Sequence, residues 1–349
     1  MKRKKYRKSG WFKRIAWILA ALTALFIGYQ TFTYFRGNFF TPSHKTVYIY
    51  IHDNARFTDV VKQIEQKKVA RKLSSFVTMA KMEGYDTKVR PGRYAIENGM
   101  TNQHLISNLK KHIQAPVSLK FNNIRTKAQL AQRLSQQLQL DSLTLIALLN
   151  DSVQETKYGF NPETIVAMFI PNTYDILWDI PAEQFMKRMH HEYETFWTAE
   201  RKQKAKATNL TPVEVCTLAS IVEEESNHKA DKAIAAGLYM NRLRLHMPLQ
   251  SCPTIKFALN DFTLKRITGK HLRVVSPYNT YKNAGLPPGP IRLPSIESLD
   301  AVLNFTPNNY LYMCAKETLN GEHYFAATWE EHKRNAAKYA AMMNKKGIY

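Results

Sequence analysis

Cysteine is scarce in this chain: three residues among 349, Cys216, Cys252 and Cys314. They are scattered and none sits in a C-x-x-C pair, which excludes a disulfide framework and argues against structural zinc. Cys216 falls inside a helical pattern and reads as a small core residue. Acid is in short supply as well, with 28 Asp and Glu against 50 Lys and Arg and a formal net charge of +22. No repeat of solenoid type occurs, and the basic start is the one compositionally biased segment. The long apolar run that follows that start has no small-residue cleavage site behind it, which disfavours a removable signal peptide.

That run is the first thing the sequence does have. Residues 1–14 carry eight Lys or Arg and no acid, and Ile15 to Phe35 then run for 21 positions without a formal charge, closed by Arg36. At about 1.5 Å per residue, such a helix covers roughly 30 Å, the thickness of a hydrocarbon core. Trp11, Phe12 and Trp17 stand at one end and Tyr29, Phe32, Tyr34 and Phe35 at the other, as in interfacial belts. The asymmetry of Lys and Arg places the N-terminus in the cytoplasm and everything after Arg36 outside. The expectation is a single-pass protein of the cell (inner) membrane, with residues 1–14 a cytoplasmic tail, 15–36 the anchor and the rest extracytoplasmic or periplasmic. Without the eight tail charges, about +14 remains outside. Basic chains often bind nucleic acid, but a tethered exported domain rarely meets any. Anionic lipid headgroups or an acidic wall polymer suit the charge better.

The predicted fold class is mixed α+β. Gly37 to Lys45 reads as a linker, Val47–His52 as a strand, Thr58–Lys67 and Leu73–Glu83 as helices, Pro91–Ile96 as a strand and Met100–Leu109 as a helix. These make a compact α+β module within residues 37–115. A larger mixed α/β domain follows over residues 116–349, with a strand at Val117–Phe121 and helices at Lys127–Leu138, Ser142–Leu149, Ala182–Arg201 and Ala230–Arg244. Beyond it, Met247–Thr254, Ser276–Tyr281 and Gly285–Ile291 are rich in Pro and Gly and read as loops. Ordering such loops costs entropy, so their rigidity needs a reason. Their Tyr, Asn, Gln and Thr suit stacking on sugars and bonding hydroxyls.

The most informative segment is Leu218-Ala-Ser-Ile-Val-Glu-Glu-Glu-Ser226. Thr211-Pro212-Val213-Glu214 predicts the helix start, with Thr211 as N-cap, Pro212 as the first residue and Glu214 closing a capping box. Val215, Leu218, Ala219 and Val222 define one buried face. Glu224 falls opposite that face and is expected to be solvated, while Glu223 and Glu225 fall on its flanks. A half-desolvated carboxyl beside another carboxylate has a raised pKa, which is what a general acid needs. Periodicity leaves Glu223 and Glu225 as equal candidates.

The order of the later motifs decides more. Ala219-Ser-Ile-Val-Glu-Glu-Glu225, Asn241-Arg-Leu243, Leu249-Gln-Ser-Cys-Pro-Thr254, Ser276-Pro-Tyr-Asn-Thr-Tyr281 and Gly285-Leu-Pro-Pro-Gly-Pro-Ile291 resemble the endolytic murein transglycosylases of the MltG/YceG-like family. Pro171-Asn-Thr-Tyr174, Tyr310-Leu-Tyr312, Gly321-Glu-His-Tyr-Phe325 and His332 fit the same pattern. The resemblance is strong over residues 165–345, and an anchor followed by a LysM-like module agrees with it in layout. It implies that Glu225, the second acid of a Glu-x-Glu pair, is catalytic. It further implies cleavage of MurNAc–GlcNAc bonds inside peptidoglycan strands, limiting their length near the membrane, with 1,6-anhydro-MurNAc ends. No cofactor or metal is called for. Cys252 and Asn172 stand where the pattern has Asp, so neither position carries an acid here.

Gln250, Tyr278, Asn279 and Tyr281 are candidates for sugar contacts or for bracing the loops. Asn241 suits substrate or the loop backbone, and Arg242 a muropeptide carboxylate or a structural acid. Partnership with penicillin-binding synthases follows from the family alone. Two rivals stand beside this reading. Glu224 and His228 are four apart, but no second His at ligand spacing makes a zinc helix. A non-catalytic peptidoglycan-binding scaffold of the wall-synthesis machinery suits the module and anchor, and predicts that Glu225 is dispensable.

Overall fold

The computed structural model describes residues 9–226, 228–318 and 320–347. The basic residues Lys2 to Lys8 and the side chains of Tyr34 and Phe35 lie outside the described residues. The chain divides into two compact units, Met1–Val117 with Ile176–Asp179, and Ser118–Asp175 with Ile180–Tyr349.

In the first unit, helix α1 (Ser9–Phe35) contains a 19-residue stretch, Trp11–Tyr29, long and apolar enough to cross a membrane. Strand β1 (Val47–Ile51), helices α2 (Phe57–Lys67) and α3 (Leu73–Met82), strand β2 (Gly92–Ile96) and helix α4 (Asn102–Lys111) follow. The two strands pair antiparallel, from Val47 opposite Ile96 to Ile51 opposite Gly92. The two-residue period of a strand turns Ile49, Ile51, Tyr94 and Ile96 to one face, where all are fully buried with Val60, Ile64, Phe76 and Leu105 of the helices. Asp59 starts α2 by accepting from the Arg56 amide at 2.8 Å, and Thr101 starts α4 by accepting from the His104 amide at 3.1 Å. The segment read as a linker is in fact laced into this unit. Phe39 is fully buried, its amide donates to the Met100 carbonyl, and the Phe40 amide donates to the Val69 carbonyl. A buried aromatic right after α1 is what pins it, and composition alone does not reveal that.

The second unit is mostly helical. A strand pair, β3 (Val117–Lys120) with β4 (Thr173–Ile176), precedes and follows α5 (Lys127–Ser135), α6 (Ser142–Leu149) and α7 (Ser152–Lys157). The single helix expected over Ala182–Arg201 is two, α8 (Ala182–Phe196) and α9 (Ala199–Ala207). The break has a local cause: the Thr198 hydroxyl caps α9 by accepting from the Arg201 amide at 3.3 Å, and Trp197 turns into the core. Then come α10 (Pro212–Glu225), α11 (Lys229–Arg244), α12 (Cys252–Ala258) and α13 (Ile296–Leu303). The chain closes with the antiparallel pair β5 (Tyr312–Ala315) and β6 (His323–Ala326) and helix α14 (Trp329–Lys345). Part of one Pro-rich loop is therefore helical. Pro253 is tolerated because it sits in the first turn of α12, where its missing amide would have no helical partner anyway.

Helix α10 is the axis of this unit. Eight consecutive residues, Val215 to Val222, are buried, because α11, α12 and α13 all pack on it. The expectation of one buried and one solvated face is corrected accordingly: surrounded by neighbours, the helix has no open face for Glu224 to occupy. Helix α11 approaches closely enough that a Cβ on Gly237 would stand 2.3 Å from the Thr306 carbonyl oxygen, so only glycine permits that contact.

Candidate active site

The start of α10 is secured by a reciprocal cap. The Thr211 hydroxyl accepts from the Glu214 amide at 3.2 Å, and the Glu214 carboxylate accepts from the Thr211 amide at 2.7 Å. Its other end stops at Ser226, whose backbone is extended. Glu223, Glu224 and Glu225 thus fill the last turn, where the helix dipole presents its negative end and penalises anionic side chains. Three carboxylates there need compensation, and the structure treats each differently.

Glu223 is bound into the packing. Its Oε2 accepts from the hydroxyls of Ser295, at 2.5 Å, and Ser298, and lies 3.3 Å from the Lys232 ammonium. Burial pushes its pKa up, but the two hydroxyls and the charges of Lys232 and Arg292 outweigh it and hold the carboxyl below its ordinary range. Glu224 is clamped between two guanidiniums, Arg125 at 2.7 Å and Arg292 at 2.8 Å. Both guanidiniums meet Oε1, so Glu224 is an ion-pair partner here.

Glu225 meets no cation within ion-pair distance among the described residues. Its Oε1 accepts from the Tyr239 hydroxyl at 2.8 Å and the Ser251 hydroxyl at 2.6 Å. Burial raises its pKa and Glu224 adds to the rise; together they outweigh the two hydroxyls and the nearby His323. Of the three acids, this is the one whose surroundings favour a proton. Tyr239 comes from α11 and Ser251 is the residue before α12, and both are buried. Sequence reasoning passed over both as site residues. Ser251 carried a signal, since a Ser followed by a Pro-containing helical turn is an N-cap pattern; Tyr239 carried none, because a helical Tyr among apolar residues looks like core.

The Pro-rich loops are knitted around this carboxyl. The Gln250 and Ser251 amides donate to the Thr280 carbonyl and hydroxyl at 2.9 and 3.0 Å, and the Thr254 and Thr280 hydroxyls are 2.8 Å apart. Gln250 holds a left-handed backbone, φ 53°, with its side chain exposed. Its Oε1 accepts from the Arg242 guanidinium at 3.0 Å, which also donates to the carbonyls of Pro248 at 2.8 Å and Leu311 at 2.6 Å. Arg242 thus meets carbonyl oxygens here, with neither a structural acid nor open solvent. Asn241 donates to the carbonyls of Asn308 and Tyr310 at 2.9 and 3.0 Å. Asn279 is fully buried and donates to the carbonyls of Leu272 and Val274 at 3.0 and 2.7 Å. Tyr281 is half-buried, with its hydroxyl 3.2 Å from the exposed Cys252 thiol. Tyr278 packs its ring on Phe257, 4.7 Å between centroids. The Gly285–Ile291 run is held by the Ile291 amide donating to Ser220 of α10 at 3.0 Å. At Gly289 a Cβ would stand 2.2 Å from the Glu163 carbonyl oxygen, so that close approach requires glycine.

Residues 49–338 match the model of the YceG-like family. The chain belongs to the YceG-like family. Its sequence is 28% identical over 326 residues to the endolytic murein transglycosylase of Bacillus subtilis (strain 168), covering 87% of this chain and 88% of that one. It is 29% identical over 332 residues to the endolytic murein transglycosylase of Streptococcus pneumoniae serotype 2, covering 85% of this chain but only 59% of that longer protein. A solved structure of a yceG-like protein from Listeria monocytogenes superposes with a TM-score of 0.55 at 27% identity, covering 83% of this chain and 99% of the other. Within this YceG-like chain, the site described above lies wholly in the second unit, where the Leu249–Thr254 and Ser276–Tyr281 loops join beside Glu225.

Proposed function

We propose that this chain is a membrane-anchored lytic transglycosylase that cuts the bond between MurNAc and GlcNAc inside peptidoglycan strands, with Glu225 as the one acid–base residue. The observation that carries the reading is the contrast within the acidic triplet: among the described residues Glu225 alone of the three has no cation within ion-pair distance, and burial favours its protonated form. A hydrolase ordinarily needs two carboxylates. Here the other two acids of the run are bound by hydroxyls and cations, which suits a mechanism with one. Glu225 protonates the bridging oxygen as the C1–O bond breaks. The resulting carboxylate then takes the proton of the MurNAc C6 hydroxyl as that oxygen closes on C1. The acid is regenerated, no water is consumed, and the new end is 1,6-anhydro-MurNAc. Gln250 and Tyr281, which keep exposed surface beside the site, are the sugar contacts of this reading. Asn241, Arg242 and Asn279 act from behind by holding the loops, and Tyr278 through its packing on Phe257.

Helix α1 supports an uncleaved single-pass anchor with the N-terminus inside and everything after Arg36 outside, in the periplasm or its equivalent. The first unit, strand–helix–helix–strand with a further helix, is read as the LysM-like module that holds glycan, over residues 37–115, ahead of a catalytic domain at 116–349. Tethering confines cutting to new strands near the bilayer and limits their length, which suits work alongside penicillin-binding synthases. The test is to give uncrosslinked strands to the full chain in lipid nanodiscs, wild type beside Glu225→Gln, and weigh the products. Anhydro ends from the wild type alone support the reading; reducing ends replace it with hydrolysis; no cleavage by either protein favours the non-catalytic scaffold.

A further inference from the structure

We propose that Tyr239 and Ser251 are positioning residues that keep the proton of Glu225 on Oε2, so that one carboxyl oxygen both gives the proton to the leaving group and takes it back. This rests on the reading of Glu225 as acid and base.

Both hydroxyls converge on Oε1, at 2.8 and 2.6 Å, and Oε2 has no hydrogen bond among the described residues. A carboxyl oxygen offers two lone pairs, and two O–H donors fill them. Were Oε1 to carry the proton, it would be a donor itself and one hydroxyl would have to turn its hydrogen away. The arrangement therefore leaves Oε2 as the protonated, outward oxygen of the acid. After the first transfer, the same two donors stabilise the carboxylate through Oε1 while Oε2 stays free to receive the C6 hydroxyl proton. Hydroxyls suit this double duty better than a cation, which would favour the ionised group from the start. Neither positioning group can wander: Tyr239 and Ser251 are buried, and the Ser251 amide is tied to the Thr280 hydroxyl at 3.0 Å. Tyr239 is itself kept neutral, its pKa pushed far above the ordinary phenol by burial and by Glu225.

Several other titratable groups face this carboxyl: Glu224 on its own helix, Cys252 of α12, Tyr281 of the loop and His323 of β6, with Asp231 behind it 3.4 Å from the imidazole. The experiment therefore compares Tyr239→Phe, Ser251→Ala and Ser251→Thr in the full chain, each also in a His323→Gln background. It measures anhydro-end formation against pH and, separately, the titration of Glu225 by ¹³C carboxyl NMR, with Glu225→Gln to assign the signal. Removing either hydroxyl is expected to lower kcat about tenfold with little change in KM. It should move the alkaline limb of the profile and the NMR titration to higher pH, because the carboxylate has lost a donor. Ser251→Thr, which returns a hydroxyl, should restore both. Lost activity with an unmoved titration, or no rescue by Thr, would mean that these residues only pack and would overturn the proposal. Should the wild type form no anhydro ends at all, the functional reading fails, while the titrations still decide whether the two hydroxyls hold the carboxylate.

Discussion

Two sides of one helix end behave in opposite ways. On one side of the last turn of α10, Glu223 meets Ser295, Ser298 and Lys232 and is held ionised. On the other, Glu225 accepts hydrogen bonds from two hydroxyls and is biased towards its acid form. Two carboxylates two residues apart on the same helix therefore differ in which state the fold favours. A charge that the structure compensates contributes to stability; one left uncompensated subtracts from stability and is available for chemistry.

The contrast breaks most visibly at Glu225. Glu225→Gln should lower strand cleavage by about a thousandfold or more, the scale of general acid–base catalysis, as measured by release of anhydro-ended fragments. The same substitution should not weaken the fold. A carboxyl whose folded pKa lies above its unfolded value is best tolerated at low pH and becomes a liability as pH rises through the folded pKa. Thermal melts of Glu225→Gln should thus equal or exceed the wild type at pH 8 and lose that advantage near pH 4.

Glu223 gives the opposite sign. Its folded pKa is depressed, so its contribution is present above the unfolded value and is lost as pH falls through the folded one. Glu223→Ala would leave the buried Lys232 with Glu297 as its remaining carboxylate partner among the described residues, at 3.0 Å, and should cost about 3 kcal/mol in denaturant unfolding at pH 7. The penalty should shrink steadily in acid. Arg292→Met tests the middle acid: Glu224 keeps Arg125, so the loss should be smaller, on the order of 1–2 kcal/mol. The pH–activity profile should shift slightly upward as a positive charge leaves the site.

The smallest effect sharpens the comparison. Cys252→Asp puts a second carboxylate near Glu225. Like-charge repulsion should raise the Glu225 pKa further and carry the alkaline limb up by less than about one pH unit. An unmoved limb would mean that position 252 does not feel the Glu225 carboxyl.

Much of this was legible in order and pattern. The capping box at Thr211, the Val215 to Val222 face, the helix–strand order of the first unit and the family motifs can all be read locally, because capping, period and loop chemistry act over a few residues. Three readings were beyond such reasoning. Gly37 to Lys45 looked like a linker because a buried Phe39 is indistinguishable in sequence from an exposed one. Glu224 looked solvated because periodicity assigns faces to a helix but cannot count the neighbours that cover them. Tyr239 was invisible because its partner lies 14 positions away along the chain.

A long apolar N-terminal helix, a basic chain with few acids, the helix that ends in three glutamates and the family to which those motifs point are all legible in local pattern. Tertiary structure alone decided what each glutamate became. Periodicity sets where a side chain points, but its protonation depends on what it meets there, and the serines, arginines and tyrosine that sort these three acids arrive from segments far away in sequence.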